Sequence, residues 1–200
     1  MARAPISAIL ITLDEEERLA TALESVRWAD EIVVVDSGST DRTAEIARRY
    51  TERFVVRDWP GYGAQKQRAA ELATSPWVLS LDADEVVTPE LRAAIEAALE
   101  RPGDAAAFEV ERHTFYLGHW FGRRGWRRDR VVRVFRRDRA RFDGAPIHER
   151  VLADGPVRRL SGALHHFTYR DITHHIEKMN RYTSALARQR YAQGKRSGAL

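Results

Sequence analysis

The feature that most constrains this chain is a repeated alternation in its first hundred residues. Ile6 to Leu13, Ile32 to Val35, Arg53 to Arg57 and Trp77 to Leu81 read as strands, with helical patterns between them. Glu15 to Arg27 places Leu19, Leu23 and Val26 on one face of an amphipathic helix. "SGSTDRTAEIARRY" supplies a turn and a second helix, with Ser39 or Thr40 as the expected N-cap. "AQKQRAAELA" predicts a third helix. Thr88-Pro89-Glu90 opens a fourth, with a capping residue ahead of a proline at the first helical position. β-α units of this length imply parallel strands joined by right-handed crossovers.

The texture changes after about Arg101. Strand-like pieces "AAFEVERHTF", "RVVRVFRR" and "VRRL" are separated by Gly- and Arg-rich loops. A closing helix is expected from Asp171 to about Tyr191, with Ile172, Ile176, Met179 and Leu186 along one side packing on the sheet. The 200 residues are read as one domain, with a nucleotide-type half (1–100) and an irregular second half (101–200). The absence of cysteine excludes a disulfide framework, a thiolate nucleophile and a cysteine-based zinc site. The first apolar run, "ISAILITL", meets Asp14-Glu15-Glu16-Glu17 at once, so no secretory signal is expected. No stretch reaches the ~18 apolar residues of a membrane span, which points to a soluble chain that can still lie against a membrane.

The stretch "LSLDADEVV" poses a physical problem: an apolar strand ends in Asp82, Asp84 and Glu85, three carboxylates within four residues. Burying them costs several kcal/mol each unless positive charge arrives. In an open α/β sheet, ligands bind beyond the carboxyl ends of the strands. Three strands here end in polar groups: Thr12-Leu13-Asp14, Asp36-Ser37-Gly38-Ser39 and Asp82-Ala83-Asp84. Side chains at i and i+2 of an extended segment point the same way, so Asp82 and Asp84 can converge on one hard cation such as Mg2+ or Mn2+. The first strand–helix turn reads "TLDEEE" and lacks the G-x-G-x-x-G phosphate cradle, which leaves diphosphate neutralisation to a metal.

In sequence order, "ISAILITLDEEERLATALESV", "EIVVVDSGSTDRTAEIA", "GAQKQRAAELATSPWVLSLDADEVVTPEL" and "IHERV" resemble family 2 of the inverting nucleotide-sugar glycosyltransferases. The closer resemblance is to the lipopolysaccharide core β-1,4-glucosyltransferase branch, where "GW…D…RVFRR", "FDGAPIHERV" and "HFTYRDI…KMNRYT" also have counterparts. The resemblance spans roughly Ile6 to Thr183. It implies the GT-A fold: a mixed, mainly parallel α/β sheet flanked by helices, with an irregular C-terminal acceptor half. It further implies a UDP-sugar donor, with glucose as the expected sugar, a glycolipid acceptor and a divalent cation. Thr12 and Asp36 would hold the uridine base, with Asp14 and Lys66 also at the donor. Asp82 would lie near the ribose, and Asp84 would coordinate the cation with His166 completing its shell. Glu149 is the candidate base, with Asp143 as second choice. The family often has Asn where Asp14 stands, so an extra charge sits beside the nucleotide here. Members of the branch often continue further at the C-terminus, so a shortened form is expected.

Arginine recurs at ten positions from Arg123 to Arg141, interleaved with aromatic residues. Its paired hydrogen bonds suit phosphate, so Arg123, Arg124, Trp126, Arg127 and Arg128 are read as contacts for a phosphorylated acceptor or anionic membrane. Of the adjacent histidines, His165, His174 and His175 read as surface or interface residues. Two other classes compete. A basic nucleic-acid binder would use the arginine run, but strand-end carboxylates repel phosphate, so no nucleic acid is expected. In a haloacid-dehalogenase-type phosphatase Asp82 would be the nucleophile, yet that loop belongs on a first strand. The expected setting is cytoplasmic, peripheral on the inner membrane face.

Overall fold

The structure is a computed structural model in which residues 2–121, 129–146, 149–169, 171–192 and 194 are described. The chain forms two compact units, Met1–Thr168 and Tyr169–Leu200. The first opens with β1 (Ile6–Thr12), α1 (Leu19–Ser25), β2 (Glu31–Asp36), α2 (Thr43–Arg48), β3 (Phe54–Val56), α3 (Tyr62–Leu72) and β4 (Trp77–Asp82). These are the expected β-α units, and β3-β2-β1-β4 pair in parallel. All seven residues of β1 are buried. One face of the sheet packs on α1, α2 and α4 (Pro89–Glu100), with Leu19, Leu23, Leu91 and Ile95 in that core; the other packs on Ala69 and Ala70 of α3. Burial on both faces is why β1 and β2 read as continuous apolar runs instead of alternating ones.

Two helix starts differ from expectation. α1 begins one turn late, and α2 begins at Thr43 instead of just after Ser39 or Thr40. Asp41 Oδ1 accepts from the Thr43 amide at 2.9 Å, while Ser39 and Thr40 are drawn off to Asp36 and Asp14. The Thr88 cap is as expected: its hydroxyl accepts from the Leu91 amide at 3.2 Å at the head of α4 (Pro89–Glu100).

The second half is more regular than its loops implied. β6 (Ala107–Tyr116), β8 (Asp129–Arg136) and β11 (Val157–His166) continue the same sheet, and the short β5 (Glu85–Val87) closes its far edge. β7 (His119–Phe121) folds back on β6, and β9 (Ala140–Phe142) pairs with β10 (Val151–Ala153) apart from the sheet. The strand order is β3-β2-β1-β4-β8-β6-β11-β5. β4 and β5 are joined by Ala83 and Asp84 alone, yet three strands lie between them in that order. Four inter-strand steps span about 19 Å, whereas three peptide units reach at most about 11 Å. The sheet therefore curls, and the acidic loop is the seam that closes it.

α3 also holds the segment leading to Glu149. The Tyr62 and Gly63 amides donate to the Pro146 and Ala145 carbonyls at 3.3 and 3.0 Å. A Cβ on Gly63 would lie 2.7 Å from the Ala145 oxygen, so only glycine allows this approach.

The second unit is the helix α5 (Ile172–Ala192), close to its expected bounds. No helix among the described residues is long and apolar enough to cross a membrane.

Gly63→Ala should lower unfolding stability by about 1–3 kcal/mol despite alanine's better helix propensity, because the 144–146 segment must shift. Urea unfolding at unchanged m-value checks this.

Candidate functional site

Thr12, Asp36 and Asp82 end three adjacent parallel strands, with Thr12 in register with Asp36 and Ile11 with Asp82. The strand order reverses around β1 and β4, the position at which open α/β sheets bind ligands.

The β1 and β2 ends are stitched together. Asp36 Oδ2 accepts from the Thr12 and Ser39 hydroxyls at 2.8 and 2.5 Å, and its Oδ1 accepts from the Gly38 and Ser39 amides at 2.9 and 2.8 Å. A carboxylate has about four acceptor sites, so Asp36 is saturated by its own turn together with Thr12 of β1. Any further contact to Asp36 must exchange one of these bonds. Asp14 stands in the left-handed region at φ 53°. Its Oδ1 accepts from the Thr40 amide at 2.8 Å. Aspartate and asparagine both tolerate that conformation and both offer an Oδ1, so the substitution at this position preserves the loop.

The three carboxylates of the acidic loop are each met by cations, and Asp82 and Glu85 share one of them, Arg133. Asp82 Oδ1 meets Lys66 Nζ at 2.6 Å, and its Oδ2 meets Arg133 Nη2 at 2.6 Å. Glu85, fully buried, takes Arg133 Nη2 at 2.5 Å and Arg112 Nη1 at 3.3 Å, and also accepts from the Asp82 amide. Asp84 meets His166 Nε2 at 3.4 Å and Arg18 Nη1 at 3.7 Å. The distances divide the labour: two carboxylates are locked by arginine and lysine, and the third faces an imidazole.

Lys66, itself buried, also donates to Glu149 Oε1 at 2.5 Å. One ammonium thus joins the acidic seam to the candidate base. Asp143 is placed differently: its Oδ1 accepts from the Ala145 amide at 3.0 Å and shapes the turn that precedes Glu149. Burial raises the Asp82 carboxyl, but the Arg133 and Lys66 charges outweigh that and hold it far below the usual carboxylate range. For Lys66, burial acts downward, and Asp82 and Glu149 overcome it to leave the ammonium above its ordinary value.

Arg133 is the residue that sequence reasoning missed. On β6, Phe108 pairs with Val134 and Glu109 with Val132, so Arg133 is the extra residue of a β-bulge. The bulge turns a side chain that strand alternation would place elsewhere into the acidic corner. Its signal was a lone arginine between Val132 and Val134 inside an apolar run. Other arginines of that run pair within the chain: Arg130 with Glu111 at 3.5 Å, and Arg137 with the Ser75 carbonyl at 3.2 Å. Arg123, Arg124, Trp126, Arg127 and Arg128 lie outside the described residues.

Metal fit follows from the donor chemistry. Asp82 is occupied by two cations, which leaves Asp84 and His166 as the converging oxygen–nitrogen pair. Among the described residues no three acidic or imidazole groups cluster as a complete cage. One carboxylate and one imidazole suit an ion that completes its shell with phosphate and water. Thr114 Oγ1 lies 3.3 Å from His166 Nδ1 and orients the ring.

Parallel strands that end together in Thr12, Asp36 and Asp82 gather polar groups at the switch point of an α/β sheet, the position at which such sheets bind ligands. Comparison with known proteins makes this specific: residues 7–159 match the profile of glycosyl transferase family 2, and the chain belongs to that family. It is 35% identical over 199 residues to the lipopolysaccharide core biosynthesis glycosyltransferase LpsC of Rhizobium meliloti, covering 96% of this chain and 74% of LpsC. It is 31% identical over 203 residues to an uncharacterized glycosyltransferase of Rickettsia typhi, covering 96% of this chain and 70% of that one. The structure of S. aureus TarS (residues 1–349) in complex with UDP aligns over 56% of this chain and 37% of TarS, at 25% identity and a TM-score of 0.47. The nucleic-acid and phosphatase readings are set aside: the chain is a glycosyltransferase, and Asp82 ends the fourth strand, not the first.

Arg133→Met strips the shared cation from two carboxylates and should cost about 3–5 kcal/mol of unfolding free energy by urea titration. A second expectation concerns pH. The folded pKa of Asp82 is depressed, so its contribution is complete above the unfolded value of about 3.9 and fades as pH falls through it. That of Lys66 is raised, so its contribution is complete below about 10.4 and fades only as pH rises beyond. Unfolding free energy should fall on the acid side below about pH 4, and Asp82→Asn should flatten that limb.

Proposed function

We propose that the protein is a metal-dependent inverting glycosyltransferase that moves a sugar, glucose, from UDP to a glycolipid such as the lipopolysaccharide inner core. The observation that carries the reading is the Asp82–Lys66–Glu149 chain of contacts at the strand ends, beside the Asp84–His166 pair. Family membership supports the transfer chemistry, and the name of the LpsC relative supports the acceptor class.

The donor's ribose lies at Asp82. Each Asp82 oxygen, bonded once to a cation, retains a lone pair for a hydroxyl, and the side chain is a quarter exposed. The uracil lies at the Thr12–Asp36 rim, which accepts its N–H by exchanging one of the bonds inside that turn. Asp84 and His166 hold the divalent cation, which when bound offsets charge on the departing diphosphate. Lys66 steadies the carboxylate of Glu149 and adds positive charge on the donor side. Glu149 takes the proton of the acceptor hydroxyl as its oxygen bonds to the anomeric carbon from the face opposite the diphosphate. The old C–O bond breaks, its electron pair leaves with UDP, and the anomeric configuration inverts. The protein acts in the cytoplasm, at the inner membrane face where such acceptors are built.

UDP release from UDP-glucose with Mn2+ or Mg2+ and deacylated inner-core oligosaccharide tests this. Glu149→Gln should lower kcat by about 10²–10⁴-fold while UDP affinity is retained. Asp84→Ala and chelation of the metal should each abolish turnover; undiminished rates in that variant contradict the assignment of the metal.

A further inference from the structure

The reaction just described leaves one exposed group of side chains unused. Beyond the acidic seam, β6 and β7 form a hairpin in which Tyr116 pairs with His119 across Leu117 and Gly118. Both turn residues have positive φ, at 48° and 79°, the geometry of the tight type I′ turn. The hairpin carries Trp120 back over Phe115, 5.1 Å between ring centroids, and onto His165 and Phe167 of the β11 end at 4.2 and 5.6 Å. Phe115 and Phe167 lie 5.9 Å apart. Trp120 and Phe167 nonetheless stay 37% and 36% exposed, so the rings build a floor that keeps part of its aromatic surface accessible.

Two observations tie this floor to the site. Strand alternation places Phe115 on the same face of β6 as Ala107, which packs with Phe142 of β9 and with α3. That is the face from which Lys66 reaches Glu149. His166 turns to the other face and meets Asp84, while the Phe167 amide donates to the Asp84 carbonyl at 2.8 Å. The acidic seam and the aromatic floor therefore share one short, hydrogen-bonded stretch of backbone. The surroundings of the floor are polar. Glu111 and His113 stand on the same face, 3.7 Å apart, and are only partly exposed.

We propose that this cluster is the acceptor subsite: a pyranose ring lies with its C–H face on Trp120 and Phe167 and turns its hydroxyls to Glu111 and His113. The inference rests on the transferase reading above. A sugar needs both chemistries at once, since small-molecule sites combine aromatic walls with a few placed polar groups. Insertion of the same floor into lipid would carry the Glu111–Arg130 ion pair and the His113 imidazole towards hydrocarbon, at a desolvation cost a sugar does not impose.

The test measures binding without donor. Saturation-transfer NMR uses deacylated inner-core oligosaccharide as the probe, with wild type, Trp120→Ala and Trp120→Phe. The wild type should saturate pyranose C–H protons, Trp120→Ala should weaken binding about tenfold, and Trp120→Phe should restore most of it. In transfer assays the acceptor KM of Trp120→Ala should rise by a similar factor with little change in kcat, and UDP affinity should match wild type. Equal oligosaccharide binding by Trp120→Ala and wild type would overturn the subsite. So would loss of binding to anionic lipid vesicles alone, which would make the floor a membrane contact. Oligosaccharide binding that needs Trp120 in a protein without UDP-sugar turnover upholds the platform and refutes the transferase reading instead.

Discussion

The architecture turns on how three carboxylates in four residues are kept from repelling one another. No single counter-ion does it. Arg133 lies between Asp82 and Glu85, Lys66 takes the other oxygen of Asp82, Arg112 adds to Glu85, and Arg18 with His166 meets Asp84. These cations come from α3, β6, β8, β11 and the entry to α1, so charge balance at the seam requires the whole curl to be assembled. A buried ion pair is weak evidence of net stability, because desolvation offsets much of the attraction. What it supplies here is arrangement, since the loop has one low-energy way to distribute its charges.

The arrangement grades the three acids. Short contacts to arginine and lysine hold Asp82 and Glu85, and Asp84 meets an imidazole and a guanidinium at 3.4 and 3.7 Å. With its charge balanced by side chains from the surrounding elements, the loop does not depend on an ion to fold. On the proposed reading, a metal arriving with the donor's phosphates would meet a side chain already in position, and catalytic sites benefit from such preorganisation. Lys66 extends the logic by facing both Asp82 and Glu149, so one ammonium sets the strand-end carboxylate and the candidate base together.

Much of this was readable from the residues. The β-α alternation gives the parallel half of the sheet, and "LDADE" at a strand end marks the corner where polar chemistry gathers. The second half was harder, because half-buried strands such as β6 and β11 mix charged and apolar positions, and a pattern written on two differently covered faces blurs. The role of Arg133 could not be seen from alternation, since its direction is set by a bulge that depends on the register of a partner strand. The Lys66–Glu149 contact spans 83 positions and needs Gly63 to admit the 144–146 segment. Distance along the chain hid the pairing, although each residue had been singled out alone. The saturation of Asp36 by its own turn together with Thr12 was equally invisible, because four acceptor sites are counted only once the loop is folded.

The hairpin of β6 and β7 has a consequence for descent. It projects from the sheet through a two-residue turn and contributes none of the seam's cations apart from Arg112, deep in its longer strand. Its tip can change in length and sequence while the donor corner stays intact, and backbone turns of this kind absorb such drift cheaply. A lineage carrying this scaffold can therefore diversify what it decorates and inherit unaltered the means of activating the sugar.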